Sequence, residues 1–123
     1  MSFDFVNRPR RLRENKILRG MISENSLSVH DLIFPVFVSS DNSGSNEISS
    51  MPGIFRWSLN ALEDQVPKWL ELGIRSFAIF PCVAESKKDD QGSEILNPKA
   101  LSYQAAGLIK SKWDDTLLVA DIA

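Results

Sequence analysis

Apolar residues in this chain gather into three short runs: LIFPVFV at Leu32–Val38, SFAIF at Ser76–Phe80 and LLVADIA at Leu117–Ala123. Each is rich in aliphatic, β-branched or aromatic residues and lacks a clean alternation of polar with apolar positions. Strands covered on both faces in a parallel sheet read this way, because neither side meets water. Pro35 sits awkwardly in the first run, since proline removes a ladder donor and favours an edge or a strand start.

The stretches between the runs carry a helical period. Leu59, Leu62, Val66 and Trp69/Leu70 predict one helix, with Ser58 as its N-cap and Gly73 just past its C-terminus. Pro67 lies inside it and should kink it or cost about 3 kcal/mol. A second helix is predicted to open at Asn97-Pro98, with proline at the first helical position, where its missing N–H does no harm. Leu101, Ala105, Leu108 and Ile109 form its apolar face, Lys110 and Lys112 suit the negative end of its dipole, and Gly107 weakens it by about 1 kcal/mol relative to alanine. Leu12, Ile17, Leu18 and Met21 predict a weaker helix over about 12–24. Residues 39–50 and 84–93 are polar and read as loops, each directly after a strand.

The expected order is arm, strand, helix, strand, helix, strand, which makes two βαβ units with parallel strands and right-handed crossovers. An N-terminal basic arm with a short helix spans 1–28, and an α/β domain spans 29–123, with strands near 32–38, 75–80 and 117–122. Strand centres fall roughly 42 residues apart, and eight such units give about 340 residues, within the range of (β/α)₈ barrels. The last run has no following helix and no fourth strand to pair with. The sequence therefore reads as an incomplete domain.

Composition removes several function classes. The chain has 123 residues, 43% hydrophobic and 24% charged, with a formal net charge of −2, so no global excess of positive charge points to nucleic acid. Six of its 14 basic residues nonetheless fall between Arg8 and Arg19. A basic arm of this kind suits phosphate or nucleic acid, but aromatic residues are not interleaved with its arginines. Cys82 is the single cysteine and His30 the single histidine, which excludes an internal disulfide and a Cys/His zinc cluster. No apolar run approaches the roughly 18 residues of a membrane span, and MSFDFVNRPRR is not a secretory leader. A cytoplasmic location is expected. Cys82, after the second strand, is expected to be a small buried residue. His30, beside Asp31 at the entry to the first strand, is expected at the surface or in a cap. Ser50-Met51-Pro52-Gly53 reads as a turn, and no phosphate-cradling glycine pattern occurs anywhere.

Several segments in order resemble the porphobilinogen synthase (5-aminolevulinate dehydratase) family, N-terminal part only. They are Arg8-Pro9-Arg10-Arg11-Leu12-Arg13, the strand Leu32–Val38 with its proline, Ser50-Met51-Pro52-Gly53 with Arg56, Glu71-Leu72-Gly73-Ile74, and Phe80-Pro81. Lys88-Asp89, Gly92-Ser93-Glu94, Asn97 and the closing Ala120-Asp121-Ile122-Ala123 complete the series. Pro67 departs from the family pattern. The resemblance implies about three βα units of a (β/α)₈ TIM barrel behind an extended arm. It implies a lyase that condenses two 5-aminolevulinate molecules to porphobilinogen with loss of two waters, in tetrapyrrole (heme) biosynthesis.

The family's Schiff-base lysines come from later strands, and none of Lys16, Lys68, Lys87, Lys88, Lys99, Lys110 or Lys112 occupies a matching position. These seven read as solvated, and the chain alone is expected to be inactive. One catalytic residue carries over: Asp121 matches the active-site aspartate at the end of the third strand, where it would assist proton transfer or hold the substrate amine. The family uses zinc or magnesium. Ala123 stands where zinc-dependent members have a metal-binding cysteine, so the chain resembles members without that site, which are often magnesium-responsive. The resemblance also implies a homo-octamer in which the arm wraps a neighbouring subunit. A non-enzymatic reading stands beside this one, in which the chain is a module that joins full-length subunits through its arm.

Overall fold

The computed structural model describes residues 10–41 and 44–120. Helix α1 (Lys16–Met21) precedes strand β1 (Phe34–Val38). Strands β2 (Ser45–Glu47) and β3 (Phe55–Trp57), helix α2 (Leu59–Glu71), strand β4 (Ser76–Pro81), helix α3 (Leu101–Lys112) and strand β5 (Leu117–Ala120) follow. The five strands make one sheet in the order β2-β3-β1-β4-β5. β3, β1, β4 and β5 are parallel, and β2 runs antiparallel to β3.

Pleating explains where the core lies. Register pairs Val36 with Ile79 and Phe34 with Phe77, so these side chains leave the sheet on one face. There they meet Leu62, Val66 and Trp69 of α2 and Ala105 and Ile109 of α3. Trp69 is the aromatic hub of this layer, with ring centroids 4.8 Å from Phe34, 5.9 Å from Phe77 and 6.0 Å from Trp57. Each large side chain fully buried here contributes about 1.5–3 kcal/mol relative to exposure. The expectation of strands buried on both faces is met on this face alone among the described residues, since β5 is mostly exposed.

α2 follows its sequence pattern closely. The Ser58 hydroxyl accepts from the Ala61 N–H at 3.2 Å and caps the N-terminus. At the other end Gly73 adopts φ +86°, its N–H donates to the Leu70 carbonyl (2.9 Å), and the Ile74 N–H donates to the Trp69 carbonyl (3.1 Å). That pair of bonds is a Schellman closure, which needs the left-handed glycine. The helix continues through Pro67. Val66 and Trp69, buried on either side of the proline, hold the helix against the sheet and offset the lost backbone bond.

Five expectations need correction. The first strand begins at Phe34, not at 32, because a 3₁₀ turn at Val29–Asp31 precedes it. The Ser28 hydroxyl accepts from the His30 N–H (3.2 Å), and Asp31 Oδ2 accepts from the Ser28 N–H (2.8 Å), so Asp31 carries the reciprocal cap while His30 stays exposed. Residues 39–50 are not simply a loop, since Ser45–Glu47 pairs with Phe55–Trp57 around a turn at 49–53. Three-residue strands are too short to show a period, and all three β2 residues are exposed. The predicted helix over 12–24 divides into a 3₁₀ turn at Arg11–Arg13 and the six-residue α1 capped by Asn15. Ile17 and Met21 remain 80% and 79% exposed, so no packing sustains a longer helix. α3 starts at Leu101 rather than at Asn97-Pro98, because Asn97 closes its own turn, its carbonyl accepting from Ala100 N–H (2.8 Å) and its Oδ1 from Lys99 N–H (3.0 Å). Cys82 is exposed, not buried.

The second and third predicted strands lie at Ser76–Pro81 and Leu117–Ala120. Among the described residues β5 has one neighbour, β4, and Leu117 and Val119 are 59% and 40% exposed. Asp121, Ile122 and Ala123 lie outside the described residues.

Phe77→Ala is expected to lower stability by about 3–5 kcal/mol in urea unfolding, as for other buried aromatic truncations, whereas Ile17→Ala should stay within about 0.5 kcal/mol. Equal losses from the two changes would contradict the packing described.

Candidate active-site cleft at the strand C-termini

Parallel strands point their C-terminal ends the same way, and ligands of such sheets bind beyond those ends. In this chain the ends of β1, β3 and β4 open onto a cleft of about 740 Å³. Its floor is the sheet face opposite the helices. Phe37 pairs in register with Phe80 on one side and with Arg56 on the other, so the three side chains form a row across three strands. The two phenylalanine rings stack at 5.4 Å and 28°. The Cys82 N–H donates to the Val38 carbonyl (2.7 Å) and carries the ladder one residue past β4, bringing Cys82 to the rim.

The outer wall is the segment between β4 and α3, which short-range bonds organise. A 3₁₀ turn spans Glu85–Lys87 and another spans Ser93–Leu96. Between them Asp89 nucleates a tight turn. Its Oδ1 accepts from the N–H groups of Gln91 (3.1 Å) and Ser93 (2.9 Å), its Oδ2 accepts from the Ser93 hydroxyl, and its carbonyl accepts from the Gly92 N–H (3.1 Å). Gly92 completes the turn at φ +61°, in the left-handed region where glycine meets no steric penalty. Glu94 then ties the wall together, accepting from Lys87 Nζ at 3.1 Å and from Asn97 Nδ2 at 3.2 Å. Lys88 pairs with Glu85. The Tyr103 hydroxyl reaches back from α3 to the Ile95 carbonyl (2.8 Å).

Electrostatics follow from these bonds. The Ser93 hydroxyl, then the Ser93 N–H, holds the Asp89 carboxyl below the usual aspartate range. Asn97, then Lys87, holds Glu94 below the usual glutamate range. Both shifts stabilise the ionised form through hydrogen bonding.

The residues singled out in the sequence distribute unevenly over this geometry. Lys87 and Lys88 stand at the cleft, 56% and 55% exposed and each in an ion pair. Lys110 donates to the carbonyls of Asp114 (2.8 Å) and Thr116 behind α3, and Lys112 bridges to Glu63 at 2.6 Å. His30 lies in the turn before β1, at the opposite end of the sheet from Cys82. Asp121 directly follows Ala120 in sequence but lies outside the described residues, so its place relative to the cleft is not assigned. Composition alone left the wall unread as a loop. The signal that could have found it is the spacing Asp89, Gly92, Ser93, an Asx turn closed by a left-handed glycine.

No group of three or more His, Cys, Asp or Glu among the described residues is arranged to hold a metal ion. Cys82 is the one thiol of the chain, and His30 lies at the far end of the sheet from it.

A mostly parallel sheet with helices on one face and a charged cleft beyond its strand ends defines an α/β domain. A family model described as delta-aminolevulinic acid dehydratase matches residues 6–123, and the chain belongs to that family. It is 37% identical over 122 residues to a delta-aminolevulinic acid dehydratase of Chlamydia pneumoniae, covering 99% of this chain and 37% of the relative. A Bradyrhizobium diazoefficiens relative of the same name is 35% identical, with 99% and 35% covered. Among solved structures, delta-aminolevulinic acid dehydratase (porphobilinogen synthase) from Toxoplasma gondii ME49, in complex with the reaction product porphobilinogen, superposes with a TM-score of 0.86. Sequence identity to it is 36%, over 99% of this chain and 34% of that one. The chain thus spans about a third of the length of the relatives it matches.

The depressed carboxyls give a pH prediction. A carboxyl bound more tightly when ionised contributes stability at neutral pH and loses it as pH falls through its lowered value. The amide resonances of Gln91 and Ser93 should therefore move on acidification with a midpoint below that of an ordinary aspartate. Asp89→Asn should abolish that movement. Titration of the two amides at or above the ordinary aspartate range would refute the turn.

Proposed function

We propose that this chain forms the first three βα units of a (β/α)₈ barrel whose cleft condenses two 5-aminolevulinate molecules to porphobilinogen with loss of two waters. One observation carries the reading: a solved synthase bearing porphobilinogen shares this backbone at a TM-score of 0.86. The half-covered β5 supports it too, since parallel strands in barrels are covered on both edges and both faces. Within that reading β5 ends at the barrel mouth, and Asp121 is the acid–base group that moves a proton or holds the substrate amine.

The imine-forming lysines belong to the remainder of the barrel. None of the seven lysines here matches a family position, so this third of the barrel acts by shaping and charging the mouth. Zinc has no role for the residues of this chain, because Ala123 offers no ligand where zinc-dependent members have cysteine. A magnesium-responsive member is the form that fits, with no step assigned to the ion. The arm over 1–28 is the assembly element of a homo-octamer; Leu12, Ile17 and Met21, all more than half exposed, supply apolar surface for it. That same surface favours a second reading, in which the chain joins full-length subunits without turning over substrate. We assign the protein to the cytoplasm; no described helix is long and apolar enough to cross a membrane.

The test joins residues 1–123 to the remaining two-thirds of the Chlamydia pneumoniae relative. The chimera should form porphobilinogen from 5-aminolevulinate, the 123-residue chain alone should form none, and Asp121→Asn in the chimera should lower kcat by about 10²–10⁴-fold. A folded but inactive chimera, or an Asp121→Asn variant of full activity, would count against the assignment. Copurification of the short chain with intact subunits, in an arm-dependent manner, would favour the second reading.

A further inference from the structure

We propose that Glu94 is a positioning residue: it clips the two turns of the outer wall together and so holds Ile95 at the cleft, where that side chain bounds the space open to a ligand's carbon chain. This role rests on the condensation reading for the ligand, 5-aminolevulinate, and adds a residue that acts on it through the wall.

The connection from β4 to α3 runs over residues 82–100, whereas such connections usually need about two to six residues. Ordering so long a connection costs backbone entropy that bonds within it must offset. Three sets of bonds do so, and they are not equivalent. Asp89 closes 89–93 upon itself. Tyr103 ties the Ile95 carbonyl to α3. Among the described residues, Glu94 is the side chain that joins the turn at Glu85–Lys87 to the turn at Ser93–Leu96. Its Oε1 accepts from Lys87 Nζ (3.1 Å), and both of its oxygens accept from Asn97 Nδ2 (3.2 Å).

Burial separates this carboxylate from its neighbour in the wall: the Glu94 side chain is 22% exposed, that of Glu85 88%. A pair held partly away from water is screened less than one at the surface, and hydrogen bonds to an ionised acceptor are the stronger kind. Ile95 follows directly in the chain. Its N–H donates to the Gly92 carbonyl (3.1 Å), its carbonyl accepts from Tyr103, and it is half-buried, lining the same cleft as Phe37 and Phe80. An apolar side chain with its backbone fixed on both sides is a boundary of defined position, and ligand sites are bounded mainly by such groups. Releasing Glu94 frees the second turn from the first, and Ile95 moves with it.

The experiment compares the 123-residue chain with Glu94→Ala, Glu94→Gln and Lys112→Met; the last breaks an ion pair to Glu63 outside the wall. Backbone order parameters over 85–97 should be about 0.85 in the parent and in Lys112→Met, and about 0.6 in Glu94→Ala. Glu94→Gln, which keeps an acceptor for Asn97 and loses the charge facing Lys87, should lie between. Unchanged order in Glu94→Ala would overturn the proposal, because the clip would then hold nothing. If Glu94→Ala loses its amide dispersion, the comparison of Glu94→Gln with the parent decides. In the chimera, Glu94→Ala and Ile95→Ala should each raise KM for 5-aminolevulinate about three- to tenfold with little change in kcat, and Glu94→Gln should recover part of the loss. A merely structural role would lower kcat and the urea midpoint at constant KM; that result, or no change in either constant, sinks the positioning role and leaves the condensation reading intact. A chimera that makes no porphobilinogen sinks the condensation reading instead, and the order parameters of the chain then decide whether Glu94 positions Ile95.

Discussion

The pairing of β1 with β4 decides what each side of this molecule does. Five residues of one strand face five of the other, Phe34 to Val38 against Phe77 to Pro81. Because side chains alternate, that register delivers Val36, Val38, Phe77 and Ile79 to the helices and Phe37 and Phe80 to the opposite face. A slip of one residue would exchange the two sets, putting the stacked phenylalanines under α2 and the valines in the cleft. Core and cleft are thus two consequences of one ladder. Tolerance of Pro35 follows as well: it lies at the strand's second position, exposed on the open face, where the buried layer does not depend on it.

Helix packing makes that register costly to change. Trp69 touches aromatic rings from β1, β3 and β4 at once, so α2 clamps three strands together. The Schellman closure at Gly73 turns the chain directly into β4, and a Cβ at Gly73 would also come within 3.2 Å of the Val29 side chain. Helix end, strand start and the turn before β1 therefore share one constrained corner. The opposite edge is less defended. β5 is an edge strand among the described residues and gives much of Leu117 and Val119 to solvent.

What could be read in the sequence follows from the range of the interactions involved. The apolar runs announce β1, β4 and β5, and the 3.6-residue period with Ser58 and Gly73 announces α2, because these signals are local and repeated. β2 and β3 escaped because three residues hold no period, and because the bonds that make them strands come from each other. Asn97-Pro98 looks like a helix start but spends its hydrogen bonds on a separate turn, which composition cannot distinguish from a cap. Cys82 was misjudged on average behaviour: a small residue one step past a buried strand stands at the rim, where the ladder ends. Of the cleft, the segment order was legible through family resemblance alone, and Asp121 lies outside the described residues. The placement of Arg56 beside Phe37 needed the register, a fact about two strands 19 residues apart.

The construction of the outer wall bears on how such a cleft can serve chemistry. Its bonds, from Asp89 to Ser93 and from Glu94 to Lys87 and Asn97, join residues seven or fewer positions apart. Local closure costs little loop entropy, so the wall can form without help from distant segments. The charges there are mostly neutralised in place, Lys87 by Glu94 and Lys88 by Glu85, which leaves the field at the floor to residues that have no such partner. The wall is thus preorganised and internally balanced in charge.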